Sequence, residues 1–300
     1  MSTQDPDLGR DGQAAPDPVQ LALPKGRMQD QLFGLLADAG VEVRVSSRGY
    51  RPEVALPGFE TKILKPQDIV EMLHRGSRDV GFAGHDWVVE KGAELVEVLD
   101  TGLNPVRIVA AAPHALVHDG RLPATRFVVA SEYERLTTSW LAAEGYDATF
   151  VRSYGATEVF PPEDADCIVD NTATGSTLRA NGLTIVATLL TSSTRMFAHP
   201  RALDVPAKRD RIEHLALLLR SVLDARQRVM VEVNCAAADL EAIIRVLPCM
   251  REPTVSTLHA GAGHAVKAAV PRAELPSLIL QLKQHGATDI VVSALAQIVP

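Results

Sequence analysis

The segment that most constrains this chain lies between residues 164 and 183, where a short apolar strand runs into a loop of small residues. Asp166 and Asp170 flank the strand, residues 167–169, and Asn181-Gly182 ends a helix that begins near Leu178. Between strand and helix the loop supplies Thr174, Gly175, Ser176 and Thr177. Backbone N–H groups, short hydroxyls and the helix dipole at such a junction favour a bound phosphate. The carboxylates suit ribose hydroxyls or a hydrated Mg²⁺, so the segment predicts a phosphoribosyl site.

An isolated Thr-Gly-Ser-Thr run has a simpler interpretation, which is a turn followed by an ordinary N-cap. The two flanking carboxylates and the strand-loop-helix context favour the anion site instead.

Two cations at the end of the first predicted strand form a second candidate site. Lys25 and Arg27 follow the apolar run 19–24 and border Gly26. Arg offers a planar fork and Lys a point charge, which together suit a pyrophosphate or triphosphate. The alternative is a solvated helix start. Because positive charge there opposes the helix dipole, the pair favours a clamp for an anion.

Composition excludes several classes of function. The net charge of -7 leaves no excess of Lys and Arg to neutralise a nucleic-acid backbone. Three widely spaced cysteines without a Cys-x-x-Cys pair argue against structural zinc and a disulfide framework, as expected in a reducing compartment. No apolar run reaches the length of a membrane span, and the polar residues 1–18 predict a disordered leader. We therefore expect a cytoplasmic protein that binds neither nucleic acid nor membrane.

The order of predicted elements divides 300 residues into three units. Two α/β units in series predict two lobes with a cleft between them, over residues 19–207, with the second lobe at about 106–190. Residues 208–300 begin with a long helix and continue as βαββαβ, the ferredoxin-like arrangement. This last unit has no cluster of reactive side chains, which favours either a sensing or assembly module or a purely structural addition.

Other polar residues have local interpretations. Asp68 and Asp86 stand near predicted helix starts and are expected to be caps. His114 and His118 share an i, i+4 spacing, but Pro113 and Gly120 place them in a loop without a partner acid, so we do not expect a metal site. The sequence contains no Walker loop, His-Glu-x-x-His motif, nucleophile elbow or Gly-x-Gly-x-x-Gly.

Taken in order along the chain, several short motifs resemble the long form of the ATP phosphoribosyltransferase family, the first enzyme of histidine biosynthesis. The resemblance extends from about Leu21 to Ile298. The motifs are Leu23-Pro-Lys-Gly-Arg27, Lys65-Pro-Gln-Asp-Ile69, Asp79-Val-Gly-Phe-Ala-Gly84, Ala130-Ser-Glu-Tyr133, Tyr154-Gly-Ala-Thr-Glu158, residues 166–183, residues 247–255 and residues 286–292. Each is weak alone, whereas their order and spacing are specific.

The resemblance implies an α/β fold: a two-lobed catalytic part like type II periplasmic-binding-protein domains, plus a C-terminal ferredoxin-like, ACT-like regulatory domain. It implies transfer of phosphoribosyl from phosphoribosyl pyrophosphate to N1 of ATP, with Mg²⁺ held mainly through the substrate pyrophosphate. L-histidine would inhibit a homo-oligomer, between dimer and hexamer. Carried over by motif, Lys25 and Arg27 would be catalytic, and Tyr133 and Glu158 would border ATP and the ribose. The phosphoribosyl pyrophosphate would contact Asp166, Asp170, Thr174, Gly175, Ser176 and Thr177.

The chain departs from the family pattern in three places: Asn104-Pro105, Glu134 and Thr138-Ser139. Losing positive charge near the nucleotide would weaken ATP binding or mark a phosphoribosyltransferase with another acceptor. The alternative from a different class is a two-lobed protein that captures a small molecule without catalysis.

Overall fold

The computed structural model describes residues 17–45 and 49–299, so nearly all of the predicted leader, residues 1–18, lies outside the described residues. In the described chain the strands are β1 (Val19–Pro24), β2 (Val43–Arg44), β3 (Glu53–Val54), β4 (Phe59–Leu64), β5 (Val80–Gly84), β6 (Val96–Pro113), β7 (Phe127–Ser131), β8 (Ala148–Arg152), β9 (Cys167–Thr172), β10 (Leu183–Ala198), β11 (Arg228–Cys235), β12 (Thr254–Thr257), β13 (His264–Pro271) and β14 (Thr288–Ala294). The helices are α1 (Gln29–Asp38), α2 (Pro66–His74), α3 (His85–Lys91), α4 (Glu134–Glu144), α5 (Ser176–Ala180), α6 (Pro200–Asp204), α7 (Pro206–Arg226), α8 (Leu240–Val246) and α9 (Leu275–Gln284). None of these described helices combines the length and apolarity needed to cross a bilayer.

Eight strands form one mixed sheet in the order β4-β1-β5-β10-β6-β9-β7-β8. At one end β1 runs parallel to β4 and β5, and at the other β7 runs parallel to β8 and β9. Strands β1 and β5 are almost wholly apolar and buried, because helices cover both faces of a parallel region. The carboxyl ends of these parallel strands are where ligands bind in open α/β sheets.

The two lobes share the long antiparallel strands β6 and β10 in the middle of the sheet. The sequence predicted shorter strands at 106–112, 184–189 and 194–198, whereas β6 and β10 continue through both lobes. Their pairing register shifts between Ser192 and Thr194, opposite a turn in which Asn104 has a φ of 49°. The lobes therefore meet at an irregular crossing in two continuous strands, and that crossing forms the floor of the cleft.

Helix α7 packs onto the first lobe. Its apolar face is buried in the same core as β1 and α1, through Ile212, Leu215, Leu219 and Val222. The Nζ atom of Lys208 lies 2.8 Å from a carboxylate oxygen of Asp79 and adds a polar anchor. The predicted boundary at 207/208 would separate this helix from its packing partners, so the change of unit falls after Arg226.

The second lobe has cores of its own on the two faces of its sheet. They are drawn almost entirely from residues 108–190, with Trp87 of α3 at the margin of one. Helix α4 ends at Gly145, whose φ of 73° suits the left-handed cap position.

The C-terminal unit is a four-stranded antiparallel sheet in the order β12-β13-β11-β14, with α8 and α9 packed on one face. This is the ferredoxin-like order predicted from the βαββαβ pattern. Its core includes Val229, Val231 and Val233, which alternate along β11 with half-buried residues. One face of the sheet is covered, as the alternation of an antiparallel strand indicates.

Candidate active site

The loops that follow the parallel strands of both lobes line two adjoining pockets. The first, here called the cleft pocket, is lined by Lys25 and Asp86 of the first lobe, by Tyr133 and Asn171 of the second, and by the strand crossing at residues 192–194. The second, here called the phosphate pocket, is lined by residues 170–174 and 176–178 together with Glu158 and Arg27. Arg27 and Asn171 border both pockets, so ligands in the two would lie against each other.

The phosphate pocket is formed by the loop between β9 and α5. Gly175, the N-cap of α5, has a φ of 75°, a conformation that other residues rarely adopt. The Oγ1 atom of Thr172 accepts a hydrogen bond of 2.9 Å from the N–H of Gly175, and the Oγ1 atom of Thr174 donates one of 3.0 Å to the Oγ of Ser176. The predicted residues Asp170, Thr174, Gly175, Ser176 and Thr177 therefore come together at one helix start.

Asp170 closes this pocket at the end of β9. Burial raises the pKa of its carboxyl to about 6, and the neighbouring charges of Glu158 and Glu132 act in the same direction. The N–H of Asn171 donates a hydrogen bond of 2.7 Å to one carboxylate oxygen and partly offsets this rise. Such a carboxylate gains from a donor or cation supplied by a ligand.

Asp166 lies elsewhere. It precedes β9, at the opposite end of the strand from Asp170, and its Oδ2 accepts a hydrogen bond of 2.8 Å from the N–H of Val128. It lines neither pocket. Because the strand between Asp166 and Asp170 is extended, their carboxylates lie apart, and the contact predicted between Asp166 and the phosphoribosyl group stays a prediction.

Lys25 and Arg27 stand at the mouth of the cleft on a 3-10 turn, Gly26–Met28. Arg27 is exposed, and among the ion pairs of the described residues neither side chain takes part. The Nζ atom of Lys25 lies 5.8 Å from the centroid of the Tyr50 ring. Both guanidinium and ammonium are therefore available to an anion in the cleft.

A buried hydrogen-bond network crosses the cleft pocket from one lobe to the other. The Oη of Tyr133 donates to Asp86 Oδ2 at 2.8 Å, and the Oγ of Ser192 donates to Asp86 Oδ1 at 2.6 Å. The Nδ2 of Asn171 donates to the Oη of Tyr133 at 3.3 Å. Asp86 was predicted to cap a helix, but α3 begins at His85 and has no side-chain cap. The carboxylate turns inward to two hydroxyls instead.

Tyr133, predicted to border ATP, is only 1% exposed and forms part of the pocket wall. Its ring stacks on Trp87 with centroids 4.8 Å apart. Burial, followed by the charge of Asp86, raises the pKa of the phenol, so the hydroxyl stays protonated and acts as a donor. Sequence reasoning missed Ser192, which lies far along the chain from Asp86 and in no motif, and it assigned no role to Asn171, although Asn171 lies within the motif at residues 166–183.

Glu90 adds a further contact between the lobes. Its carboxylate, on α3, accepts hydrogen bonds from the N–H groups of Arg135 at 3.1 Å and Leu136 at 3.0 Å. These N–H groups belong to the first turn of α4, so a first-lobe carboxylate caps a second-lobe helix. The cap, the Trp87–Tyr133 stack and the Tyr133–Asp86 hydrogen bond form one seam between α3 and α4.

The departures from the family pattern lie in different surroundings. Asn104 lines the cleft pocket and donates a hydrogen bond of 3.2 Å to the Oγ1 of Thr194. Glu134 pairs with Arg152 on the surface. Thr138 and Ser139 are exposed on α4 and line neither pocket.

No group of three or more His, Cys, Asp or Glu side chains in residues 17–45 and 49–299 is arranged to hold a metal ion. The carboxylates that line the phosphate pocket are those of Asp170 and Glu158. Carboxylate oxygens with repelling charges fit a hydrated Mg²⁺ carried in on a substrate.

Comparisons with known proteins agree on one family. The family model described as ATP phosphoribosyltransferase matches residues 65–221, and one described as HisG, C-terminal domain, matches residues 225–297. The second match begins next to the end of α7, where the structure changes unit.

Curated relatives carry the same name. An ATP phosphoribosyltransferase of Pelotomaculum thermopropionicum is 36% identical over 291 residues, covering 94% of this chain and 99% of the relative. One from Chlorobaculum parvum is 37% identical over 277 residues, covering 91% and 94%. A solved chain of the ATP phosphoribosyl transferase (HisG:HisZ) complex from Thermotoga maritima has a TM-score of 0.58 at 24% identity, with 66% of this chain and 98% of that chain covered. At that identity the solved chain supports the fold.

Proposed function

The chain belongs to the ATP phosphoribosyltransferase family, and from this premise we propose how its two pockets divide the work. The enzyme transfers the phosphoribosyl group of 5-phosphoribosyl 1-pyrophosphate to N1 of ATP, releasing pyrophosphate, in the first step of histidine biosynthesis. The observation that carries the assignment of pockets is that Arg27 and Asn171 border both of them. Two substrates that must react with each other need two sites in contact.

The phosphate pocket holds the 5-phosphoribosyl group. Its Thr, Ser and Gly residues, 174–177, present hydroxyls and backbone N–H groups to the 5-phosphate at the start of α5. Asp170 and Glu158 face the ribose hydroxyls, whose donated hydrogen bonds relieve the cost of burying Asp170. Glu158 was expected to border the nucleotide and the ribose, and its place in this pocket supports a contact with ribose.

The cleft pocket receives ATP, with its phosphates toward the cations of the first lobe. Lys25 and Arg27 also neutralise the pyrophosphate as it leaves. N1 of adenine displaces it at the anomeric carbon, so no side chain needs to act as a nucleophile. Closure of the lobes brings the reacting atoms to the 3–3.5 Å or so that such a displacement requires.

Mg²⁺, which would be held by the substrate pyrophosphate with Asp170 and Glu158 nearby, supplies charge neutralisation to the leaving group. This assignment is supported by the donor set of the phosphate pocket.

A cytoplasmic location is a further proposal, supported by three free cysteines.

The C-terminal unit, residues 227–299, serves regulation and assembly, in our proposal. It contains a complete ferredoxin-like sheet with a core of its own and lines neither pocket. L-histidine bound to it would inhibit by favouring one arrangement of subunits in a homo-oligomer.

The deciding experiment measures pyrophosphate release from protein mixed with ATP, phosphoribosyl pyrophosphate and Mg²⁺. Release that requires both substrates supports the function, and GTP in place of ATP tests for another acceptor. A folded protein that binds both substrates and releases no pyrophosphate would favour the non-catalytic alternative.

A second experiment tests regulation. A chain ending at Arg226 should keep basal activity and lose inhibition by L-histidine, and inhibition that persists would contradict the regulatory role of the C-terminal unit.

A further inference from the structure

A third polar pocket, here called the edge pocket, lies in the first lobe at the edge of the sheet opposite the cleft. Its volume is about 440 Å³, within the range of small-molecule sites. The charged side chains that line it are Arg51, Glu53, Glu60 and Arg78. Glu60 is the second residue of β4 and Arg78 precedes β5, so the pocket lies at the amino-terminal ends of parallel strands.

The edge pocket is separate from the active site. It shares no lining residue with the cleft pocket or the phosphate pocket. Gln20, another of its residues, lies near the start of β1, whereas Lys25 and Arg27 follow the end of that strand. The six residues of β1 span about 17 Å, at about 3.3 Å per residue. A ligand in the edge pocket would therefore contact neither of the two catalytic cations.

Arg78 is half-buried in this pocket, and its charge is not neutralised by a carboxylate. Its Nη1 donates a hydrogen bond of 2.9 Å to the Oε1 of Gln20, whose Nε2 donates one of 3.0 Å to the Oε2 of Glu60. The amide therefore stands between the guanidinium and the carboxylate. Asp79 is committed to the Nζ of Lys208 and to the N–H of Gln20. Within residues 17–45 and 49–299, Arg78 forms no ion pair.

Arg51 brings a second guanidinium to the same pocket. The carbonyl groups on either side of it accept hydrogen bonds from β4, one from the N–H of Ile63 at 2.8 Å and one from the hydroxyl of Thr61. Burial, followed by the charge of Arg51, lowers the pKa of Arg78. The fold thus holds two like charges beside one pocket, and in the part of the chain that the structure describes Arg51 has no ion pair either.

Two guanidiniums at one pocket favour a phosphate over a carboxylate as their ligand. Each guanidinium presents five N–H donors in a planar fork. A phosphate monoester offers three terminal oxygens, so two forks can bind it together, whereas a carboxylate has a single pair of oxygens. A dianion also offsets the repulsion between the two arginines more than a monoanion does.

The carboxylates of the pocket indicate what else the ligand carries. Glu53 and Glu60 line it together with the arginines, and neither forms an ion pair among the described side chains. Inorganic phosphate would only be repelled by them, whereas hydroxyl groups donate hydrogen bonds to carboxylates. A ligand that is anionic at one end and hydroxylated at the other satisfies both pairs of side chains.

We propose that the edge pocket binds a sugar phosphate, with the phosphate held by Arg51 and Arg78 and the hydroxyls by Glu53 and Glu60. This site does not depend on the catalytic function proposed above, because it shares no residue with either substrate pocket. The ligand needs the fold to bring its four contacts together, so it binds the folded chain and stabilises it.

The test measures binding to the full chain by titration calorimetry, with glucose 6-phosphate, fructose 6-phosphate, glucose and inorganic phosphate. We expect at least one sugar phosphate to bind with a Kd of about 1 mM or lower. Glucose and inorganic phosphate should each bind at least about tenfold more weakly, since each lacks one half of the contacts. The proposal is overturned if neither sugar phosphate binds at about 10 mM, or if inorganic phosphate binds as tightly.

Variants show where the sugar phosphate binds. Arg78→Ala should raise the Kd at least about tenfold, because it removes charge-assisted hydrogen bonds. Arg27→Ala, which alters the cleft and the phosphate pocket instead, should keep the Kd within about threefold of wild type. If Arg27→Ala loses binding and Arg78→Ala keeps it, the sugar phosphate occupies the active site and the proposal is overturned.

Two further variants separate the site from general charge and from folding. Arg75→Ala removes a nearby arginine that pairs with Glu71 outside the pocket, and its Kd should match that of wild type. A loss as large as that of Arg78→Ala would show attraction to the surface as a whole and would overturn the proposal. If Arg78→Ala does not fold, the exposed Arg51→Ala decides, and a wild-type Kd in that variant overturns the proposal.

Discussion

The two lobes support the active site in different ways. The first brings Lys25, Arg27 and Asp86 to the cleft on turns whose core includes α7, the helix that leads into the C-terminal unit. The second presents the phosphate pocket on a continuous segment, above cores drawn from its own strands and helices. The half that carries positive charge is thus tied to the rest of the chain. The half that contains the phosphate pocket is joined to the first lobe through β6, β10 and the α3–α4 seam.

The largest expected effect comes from cutting the chain on either side of α7. A protein ending at Arg226 should keep both lobes folded and unfold cooperatively. In a protein ending at Ala207, the first lobe should be unfolded. Ile212, Leu215, Leu219 and Val222 are fully or almost fully buried, and at about 1.5–3 kcal/mol each their loss matches the whole stability of a typical domain. The rate of amide hydrogen exchange in β1 measures whether the first lobe is folded in each truncated protein. Equal protection of β1 in both truncations would show that α7 does not support the first lobe.

Next in size is the effect of Asp170→Asn in the second lobe. Loss of a charge-assisted contact to ribose, about 1.5–3 kcal/mol, should lower kcat/KM for phosphoribosyl pyrophosphate by about 10- to 150-fold. Asp166→Asn is the matched control, because that carboxylate contacts Val128 and not the pocket. Its kcat/KM should remain within about threefold of wild type. An equal fall in kcat/KM in the two variants would show that Asp166 also contributes to binding phosphoribosyl pyrophosphate.

The same Asp170→Asn change should stabilise the protein at neutral pH. The pKa of Asp170 is about 6 in the folded chain against the ordinary aspartate value of 3.8. Because the folded state binds this proton more tightly, the stabilisation is complete below about pH 3.8 and is lost as pH rises through about 6. At pH 7.5 the free energy of unfolding of the variant should exceed that of wild type by up to about 3 kcal/mol. Thermal melts at pH 4.5 and 7.5 test this, and a gap that does not shrink at the lower pH contradicts it.

The Arg27→Ala variant tests the positive charge that the first lobe brings to the cleft. We expect kcat to fall about tenfold or more, since one cation no longer faces the leaving group. The melting temperature should hardly move, because an exposed arginine contributes little to folding. Arg126→Ala, another exposed arginine, lies outside both pockets and should alter neither quantity. A large fall in melting temperature with kcat intact would make Arg27 structural.

The smallest expected effect concerns the seam. Glu90→Gln keeps the shape but removes the charge that caps α4, and should cost about 1 kcal/mol of unfolding free energy. Glu94→Gln, at an exposed position nearby, is the control and should cost less than half as much. Chemical denaturation resolves the difference, and equal costs would remove Glu90 as a link between the lobes.

Sequence reasoning located what is continuous along the chain. The phosphate loop, the cations after β1 and the βαββαβ order of the C-terminal unit each lie within one segment, where local pattern governs structure. Asp166 and Asp170 were predicted to act together because they stand on either side of a short apolar run, whereas in the structure an extended strand separates the two carboxylates. The strands predicted at 184–189 and 194–198 are one strand, β10, and the strand predicted at 106–112 begins earlier, at Val96 of β6. Polar residues at the crossing pair across the sheet instead of forming loops.

The buried network could not be predicted from sequence. Asp86 and Ser192 are 106 positions apart, and Asp86 and Tyr133 are 47 apart. An aspartate at the start of a helix is usually a cap, and only the fold shows that this one turns inward. The boundary after α7 was missed for a similar reason, because an amphipathic helix does not reveal which neighbour covers its apolar face.

Helix α7 has 21 residues and is therefore about 30 Å long. One end emerges beside Asp79 and Lys208, at the edge of the first lobe, and the other leads directly into β11. The helix packs in the same core as β1 and α1, so it is a continuous helical connection between the core of the first lobe and the C-terminal sheet.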